Sequence, residues 1–268
     1  MRIIDFTDRY LQYAGGKISR AEYEQSCPEL FEQYRLFNIA ENWEYKSLSA
    51  DDIKQGVDII MDELSFIERR FRTDGFDLTD LELLLFVGGG STNGHAVELD
   101  GRMAVWLPVE TYTSPMLARV FIAHEIIHAL HYTSRPEFRF TTSHKLLDFE
   151  RSLITEGIAT FLTAEILGMP LVDALWADHL PAEDAKRWMD TCNAKKRELL
   201  NYCLDHIDSK EQEPAFFRAD NPGDIYEYRA GYYIGAMIAR TIYIADNLMP
   251  QRLLSLDRKT IIEMMRRM

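Results

Sequence analysis

A chain of 268 residues, 47% hydrophobic and 27% charged, has the composition of an ordinary soluble globular protein, with length for one large domain or two small ones. Its 43 acidic against 30 basic residues give a net charge of −13, which argues against nucleic acid as a partner. Three widely spaced cysteines (Cys27, Cys192 and Cys203), an N-terminus without a signal-peptide core and the lack of any apolar window of about 18 residues point to a cytoplasmic protein with reduced thiols and no membrane partner.

Residues 4–14 have the spacing of an amphipathic helix that stops at Gly15-Gly16. Ser19 is placed to cap a second helix through Ala21, Glu22 and Glu24, with Pro28 interrupting it. Ser49 followed by Asp51-Asp52 marks another start, and Val57, Ile60, Met61, Leu64 and Ile67 keep helical spacing to about Phe71. None of these segments carries a reactive constellation. Residues 1–80 are therefore expected to form a helical N-terminal region packed on a second part, residues 81–268.

Leu81 to Val87 is an apolar run with one Glu, bounded by Gly88-Gly89-Gly90-Ser91. Gly94 to Leu99 and Arg102 to Leu107 read as two strands turning at Asp100-Gly101, a strong hairpin signal. The glycine run lacks the Gly-Lys-Ser/Thr of a phosphate cradle and reads as a loop or bulge. His95 is a lone strand histidine, of the kind that is usually solvated or hydrogen-bonded.

The next helix, about Pro115 to Tyr132, contains His124-Glu125-Ile126-Ile127-His128, the zinc-protease pattern. Helical residues four apart differ by about 40° in azimuth and one turn in height, so the two imidazoles can share one metal ion. Glu125 is turned about 100° from His124, suited to taking a proton from a water rather than to binding the metal. The rest of this helix is Ile, Ala, Leu, Phe and Val. It is apolar all round and reads as buried, where His and Glu need partners. The competing reading is a core helix whose histidines are hydrogen-bonded.

After a polar connection, Thr133 to Ser143, helical spacing returns from Lys145 to Leu167 and closes at Gly168-Met169-Pro170. Residues 181–208 and 224–247 read as two long helices separated by an acidic, Pro-containing stretch at 209–223, and a last short helix carries Ile261, Ile262 and Met265. The whole is α+β, mostly helical, with a small mixed or antiparallel sheet before the motif helix.

A catalytic zinc site has three protein ligands and one open position. The best third candidate is Glu156, 28 residues after His128. Ser152, Glu156, Thr160 and Thr163 make a polar stripe on an otherwise apolar segment, and Gly157 allows close backbone approach. The competing reading is a solvent-facing stripe. His131 shares a face with His124 but lies about 10 Å further along the axis, which makes it a supporting or helix-end residue. His144, His179 and His206 have no supporting pattern.

A tetrahedral oxyanion needs a donor besides the metal, and the Tyr-rich segment 226–233 is the place to look. Gly231, Gly235 and Ala239 form a small-residue face bordered by Tyr228 and Tyr232, while Arg229 lies on another face, free to pair with a carboxylate. Aromatic residues on a buried helix are more often simply core.

Taken together, His124-Glu125-Ile126-Ile127-His128, Glu156-Gly157-Ile158-Ala159 and Tyr228-Arg229-Ala230-Gly231-Tyr232-Tyr233-Ile234-Gly235 resemble the gluzincin metallopeptidases, over roughly residues 81–245. More narrowly they resemble a group of bacterial proteins described as predicted zinc-dependent proteases. The resemblance implies a zincin-like fold with a sheet edge above the active-site helix, Zn2+ held by His124, His128 and Glu156, and Glu125 as general base. Thermolysin-type gluzincins carry an Asp four residues after the ligand Glu; here that position is Thr160. The expected activity is zinc-dependent hydrolysis of a peptide or protein substrate, with an extended peptide added to a strand edge within 95–107. The alternatives are hydrolysis of a non-peptide amide and a catalytically silent zincin-like binding or regulatory protein, against which an intact Glu125 argues. Nothing in the pattern specifies an oligomeric state.

Overall fold

The computed structural model describes residues 1–37, 44–90, 92–142, 148–209 and 214–268. They form two compact units, Met1–Ala129 and Leu130–Met268. Ser143, His144, Lys145, Ser91 and residues 210–213 of the acidic stretch lie outside the described residues. Among the described residues, no helix is long and apolar enough to cross a membrane.

The first unit is built on a four-stranded mixed sheet in the order β1-β2-β4-β3, from β1 (Arg2–Asp5), β2 (Glu82–Phe86), β3 (His95–Leu99) and β4 (Arg102–Pro108). β2 runs parallel to β1 and to β4, and β3 closes antiparallel on β4. The expected hairpin forms at Asp100-Gly101, where both residues have positive φ (48° and 73°), the requirement of a two-residue type I′ turn. β3 is left as a sheet edge. The apolar run in β2 is buried almost throughout, as befits a central strand.

Helices α1 (Thr7–Ala14), α2 (Arg20–Glu24), α3 (Pro28–Phe37) and α4 (Ala50–Thr73) belong to the same unit. Ser19 with Glu22 and Ser49 with Asp52 form reciprocal capping boxes, so the two starts expected at serines are real. Pro28 does not interrupt a helix; it opens α3, where its missing N–H costs nothing.

Residues 2–5 correct the expectation of a helix from residue 4. They are a strand, tied to the sheet by the Arg2 N–H donating to Leu81 and the Phe6 N–H donating to Leu85. Pairing with a partner 80 positions away overrides local spacing here. The N-terminal stretch is thus part of the sheet and not purely helical.

Helix α5 (Pro115–Ser134) follows the sheet. Arg119 on its first half grips Glu63 of α4 through two hydrogen bonds, at 2.7 and 3.1 Å, and lies over the Phe66 ring. Gly56 of α4 meets the Val109 carbonyl so closely that no side chain would fit there.

The second unit holds α6 (Phe149–Leu167), α7 (Leu171–Trp176), α8 (Ala182–Ala194), α9 (Lys196–His206), α10 (Ala230–Ala245), α11 (Pro250–Leu254) and α12 (Arg258–Met265). α6 ends on Gly168 in the left-handed region, as its glycine foretells. α6 and α10 cross where Gly157 meets Gly235: a Cβ on Gly235 would stand 2.6 Å from the Leu153 carbonyl and 2.8 Å from the Gly157 Cα. The two long helices expected over 181–208 and 224–247 are both broken. Lys195 separates α8 from α9, and α10 starts only after Arg229, which takes a left-handed conformation (φ 57°, ψ 19°).

Candidate metal centre

The central turns of α5 are buried on every side, as their composition requires. His124, Glu125 and His128 are 8%, 7% and 3% exposed. Four residues apart, the two imidazoles turn toward each other: their Nε2 atoms are 3.0 Å apart, with ring planes at 80°. Ligand atoms of His124, Glu125 and His128 all lie within 4.8 Å of one another.

This donor set fits a zinc ion. Two nitrogens bound tetrahedrally at 2.0–2.1 Å stand about 3.3 Å apart, close to the separation found here. Imidazole nitrogens are also donors that suit a borderline-soft divalent ion.

Glu125 is packed by residues with no periodic signal in the sequence. Gly94, just before β3, has φ +153°, and a Cβ there would stand 3.3 Å from the Glu125 Cγ, 3.2 Å from the Tyr112 hydroxyl and 3.1 Å from the Trp106 carbonyl. The edge strand therefore begins against the Glu125 side chain. The Tyr112 hydroxyl donates to the Asn93 carbonyl. Burial first, then the charges of Glu125 and Glu110, push its pKa well up, so it stays a protonated donor.

The glycine run after β2 does hold an anion, but an internal one. Glu110 accepts the backbone N–H groups of Gly88 (3.0 Å) and Gly90 (3.0 Å), while the Gly89 N–H donates to the Tyr34 hydroxyl (2.6 Å). Burial raises the Glu110 pKa against these hydrogen bonds. The loop reading stands, and the side chain that fills it was not foreseen.

The remaining predicted residues lie in the second unit. Glu156 sits half-buried on α6. Of its stripe, Thr160 is buried with no hydrogen-bond partner for its hydroxyl among the described residues, and the Thr163 hydroxyl donates back to the Ala159 carbonyl. Thr155, next to Glu156, is likewise buried and unpartnered. Tyr228 and Tyr232 do not share a helical face, because the helix begins between them. Tyr228 precedes α10, with its carbonyl accepting from the Trp188 indole (2.8 Å) and its ring against Trp176. Tyr232 lies in the first turn under the Arg229 guanidinium, 4.5 Å from its ring centroid. Glu156, Tyr228 and Tyr232 are all within electrostatic reach of Arg229.

The other histidines have structural surroundings. His131 is fully buried, its ring 4.7 Å from Phe138 and stacked toward Tyr132. His206 pairs through Nδ1 with the Tyr202 carbonyl and stacks on that ring. His179 has its pKa lowered by burial and by Arg229. His95 is half-buried beside Trp106.

A protein-family model described as "Predicted Zn-dependent protease (DUF2268)" matches residues 86–263. The matched span covers β3, β4, α5, α6 and α10 and every predicted site residue. No curated protein and no solved structure matches the chain.

Proposed function

We propose, from the premise that the chain belongs to this family of predicted zinc-dependent proteases, that it is a gluzincin-type metallopeptidase that cleaves peptide bonds. One observation carries the reading: two buried imidazole nitrogens 3.0 Å apart on one helix, with a carboxylate within 4.8 Å. A buried polar cluster of this kind is costly unless an ion or a reaction uses it.

His124 and His128 hold the zinc, with Glu156 as third ligand, the two-His-one-Glu set of catalytic sites. Once bound, the ion would lower the pKa of a water toward ~7 and polarise the scissile carbonyl. Glu125 accepts the proton of the attacking water and passes it to the leaving amine. Tyr228 or Tyr232 donates to the oxyanion. The substrate, a peptide or protein segment, pairs by main-chain hydrogen bonds with the β3 edge. Gly94, with no side chain, leaves the approach to Glu125 clear. Neither nucleic acid nor membrane has a part in this reading, and the cysteine pattern supports a cytoplasmic setting.

The test is Glu125→Gln. The variant is expected to keep about one zinc by plasma mass spectrometry and to lose all cleavage of a peptide library. Turnover that survives the substitution would refute the mechanism. Zinc bound by a wild type that cleaves no peptide would favour the non-peptide amide or silent binding reading.

A further inference from the structure

Arg229 is placed against every local preference. It is a non-glycine residue in the left-handed region, a conformation strained for any residue with a Cβ. It precedes the first turn of the 16-residue helix α10, where the helix dipole opposes a cation. Its Nε is buried and has no hydrogen-bond partner among the described residues. Burial lowers its pKa, which means the charge is poorly solvated there.

The surrounding structure nevertheless enforces this placement. The Arg229 N–H donates to the Arg218 carbonyl (2.7 Å), and the preceding Tyr228 carbonyl accepts the Trp188 indole (2.8 Å). Tyr228 also bridges to Ala219. The guanidinium carbon then lies 5.0 Å from the Trp176 ring centroid and 4.5 Å from that of Tyr232. Rings over a flat cation occupy its faces and leave its N–H edge for a ligand. The residue as a whole keeps partial exposure to solvent.

We propose that Arg229, held by Trp176 and Tyr232, is a carboxylate-binding site that recognises the free C-terminal carboxylate of a peptide substrate. The planar fork of a guanidinium matches a carboxylate by two parallel hydrogen bonds, which favours this anion over a spherical one. An arriving carboxylate offsets the unfavourable dipole and gives the orphaned Nε an acceptor. The carboxylate whose charge already reaches Arg229 is Glu156, so a terminus bound at Arg229 ends close to that residue. The choice of a peptide as ligand rests on the peptidase reading with Glu156 as a ligand. It makes the protein an exopeptidase acting from the C-terminus. The anion site itself does not require zinc.

The experiment uses the full chain carrying Glu125→Gln, so that bound peptide is not consumed. The probe is an equimolar mixture of one randomised hexapeptide pool as free acids and as carboxamides, with retention on the protein read by mass spectrometry after ultrafiltration. Free acids are expected to be retained at least about tenfold over amides, the range of a charge-assisted hydrogen-bonded pair. Adding Arg229→Gln should erase the preference, and Arg229→Lys should keep only part of it. Equal retention of the two forms, including none of either, overturns the proposal, as does a preference that survives Arg229→Gln. The comparison on intact Arg229 stands even where a variant folds poorly. Zinc content, measured in parallel, separates the two readings. An acid preference in a protein that takes up no zinc sinks the peptidase and keeps the site. Cleavage without an acid preference does the reverse.

Discussion

Gly94 lies against Glu125, close enough that a single added methyl group would stand 3.3 Å from the Glu125 Cγ. Neither the Trp106 carbonyl at 3.1 Å nor the Tyr112 hydroxyl at 3.2 Å leaves that methyl another direction. Gly94→Ala must therefore shift Glu125 or the start of the edge strand by a few tenths of an ångström, besides straining a φ of +153°. On the proposed role of Glu125, a misplaced general base loses on the order of tenfold to a hundredfold in rate. Steady-state peptide cleavage should fall by that factor with zinc content unchanged. Undiminished turnover would remove Glu125 from the role of base.

Glu156→Ala tests the proposal that Glu156 is the third ligand. Deleting one of three protein ligands should cut bound zinc from about one per chain to a small fraction after dialysis, read by plasma mass spectrometry. Glu156→Gln, which keeps a neutral oxygen, should fall between. Full zinc occupancy in the alanine variant would move the third ligand to another residue.

The contact between Gly157 and Gly235 predicts a stability effect. A Cβ on Gly157 would stand 2.6 Å from both the Cα and the carbonyl oxygen of Gly235, so α6 and α10 must part. Overpacking of this kind costs about 1–3 kcal/mol, against a helix-propensity gain of about 1 kcal/mol. The backbone-on-backbone clash places Gly157→Ala at the upper end or beyond. Thermal unfolding should move down by roughly 5 °C. An unchanged melting temperature would show that the helices separate freely.

The buried thiols set an alkaline limit. Cys192 and Cys203 are fully buried, and burial pushes Cys192 up to about 12 and Cys203 up as well, from 9.0. Below pH 9 both states keep their thiol protons and this contribution is fully present. As pH rises past 9 the unfolded chain releases protons that the folded chain retains. Each thiol then costs up to about 1.4 kcal/mol per pH unit, until the folded group ionises in turn. Denaturant titrations between pH 8 and 11 should show this loss, and Cys192→Ala should flatten it. Iodoacetamide at pH 8 should label Cys192 and Cys203 only after unfolding.

What the sequence disclosed was local. The serine caps at 19 and 49, the Asp100-Gly101 turn and the paired histidines each write their geometry into neighbouring residues. So does the apolar α5, whose composition announces burial. What stayed hidden depends on distant partners. Arg2-Ile3-Ile4-Asp5 is a strand because β2 exists to receive it, and no nearby residue says so. The break at Arg229 carries no glycine or proline; the left-handed turn is imposed by Arg218, Trp188 and the bridge to Ala219. Gly94 shows its purpose only once β3 and α5 are side by side. The small residues of α10 meet different partners: Gly235 meets α6, while Gly231 meets Phe217.

The register of β1 on β2 also sets an order of events during synthesis. Arg2 pairs with Glu82 and Asp5 with Leu85, 80 positions later. At about 5–20 residues per second, the first strand is made roughly 4–16 s before its partner. Through that interval α1 to α4 can form and cap themselves, while Ile3 and Ile4 wait with unpaired backbone. β1 can therefore join the sheet only after β2 has been made. A translational pause shortly before Glu82 would lengthen the period in which that strand is open to the wrong partner.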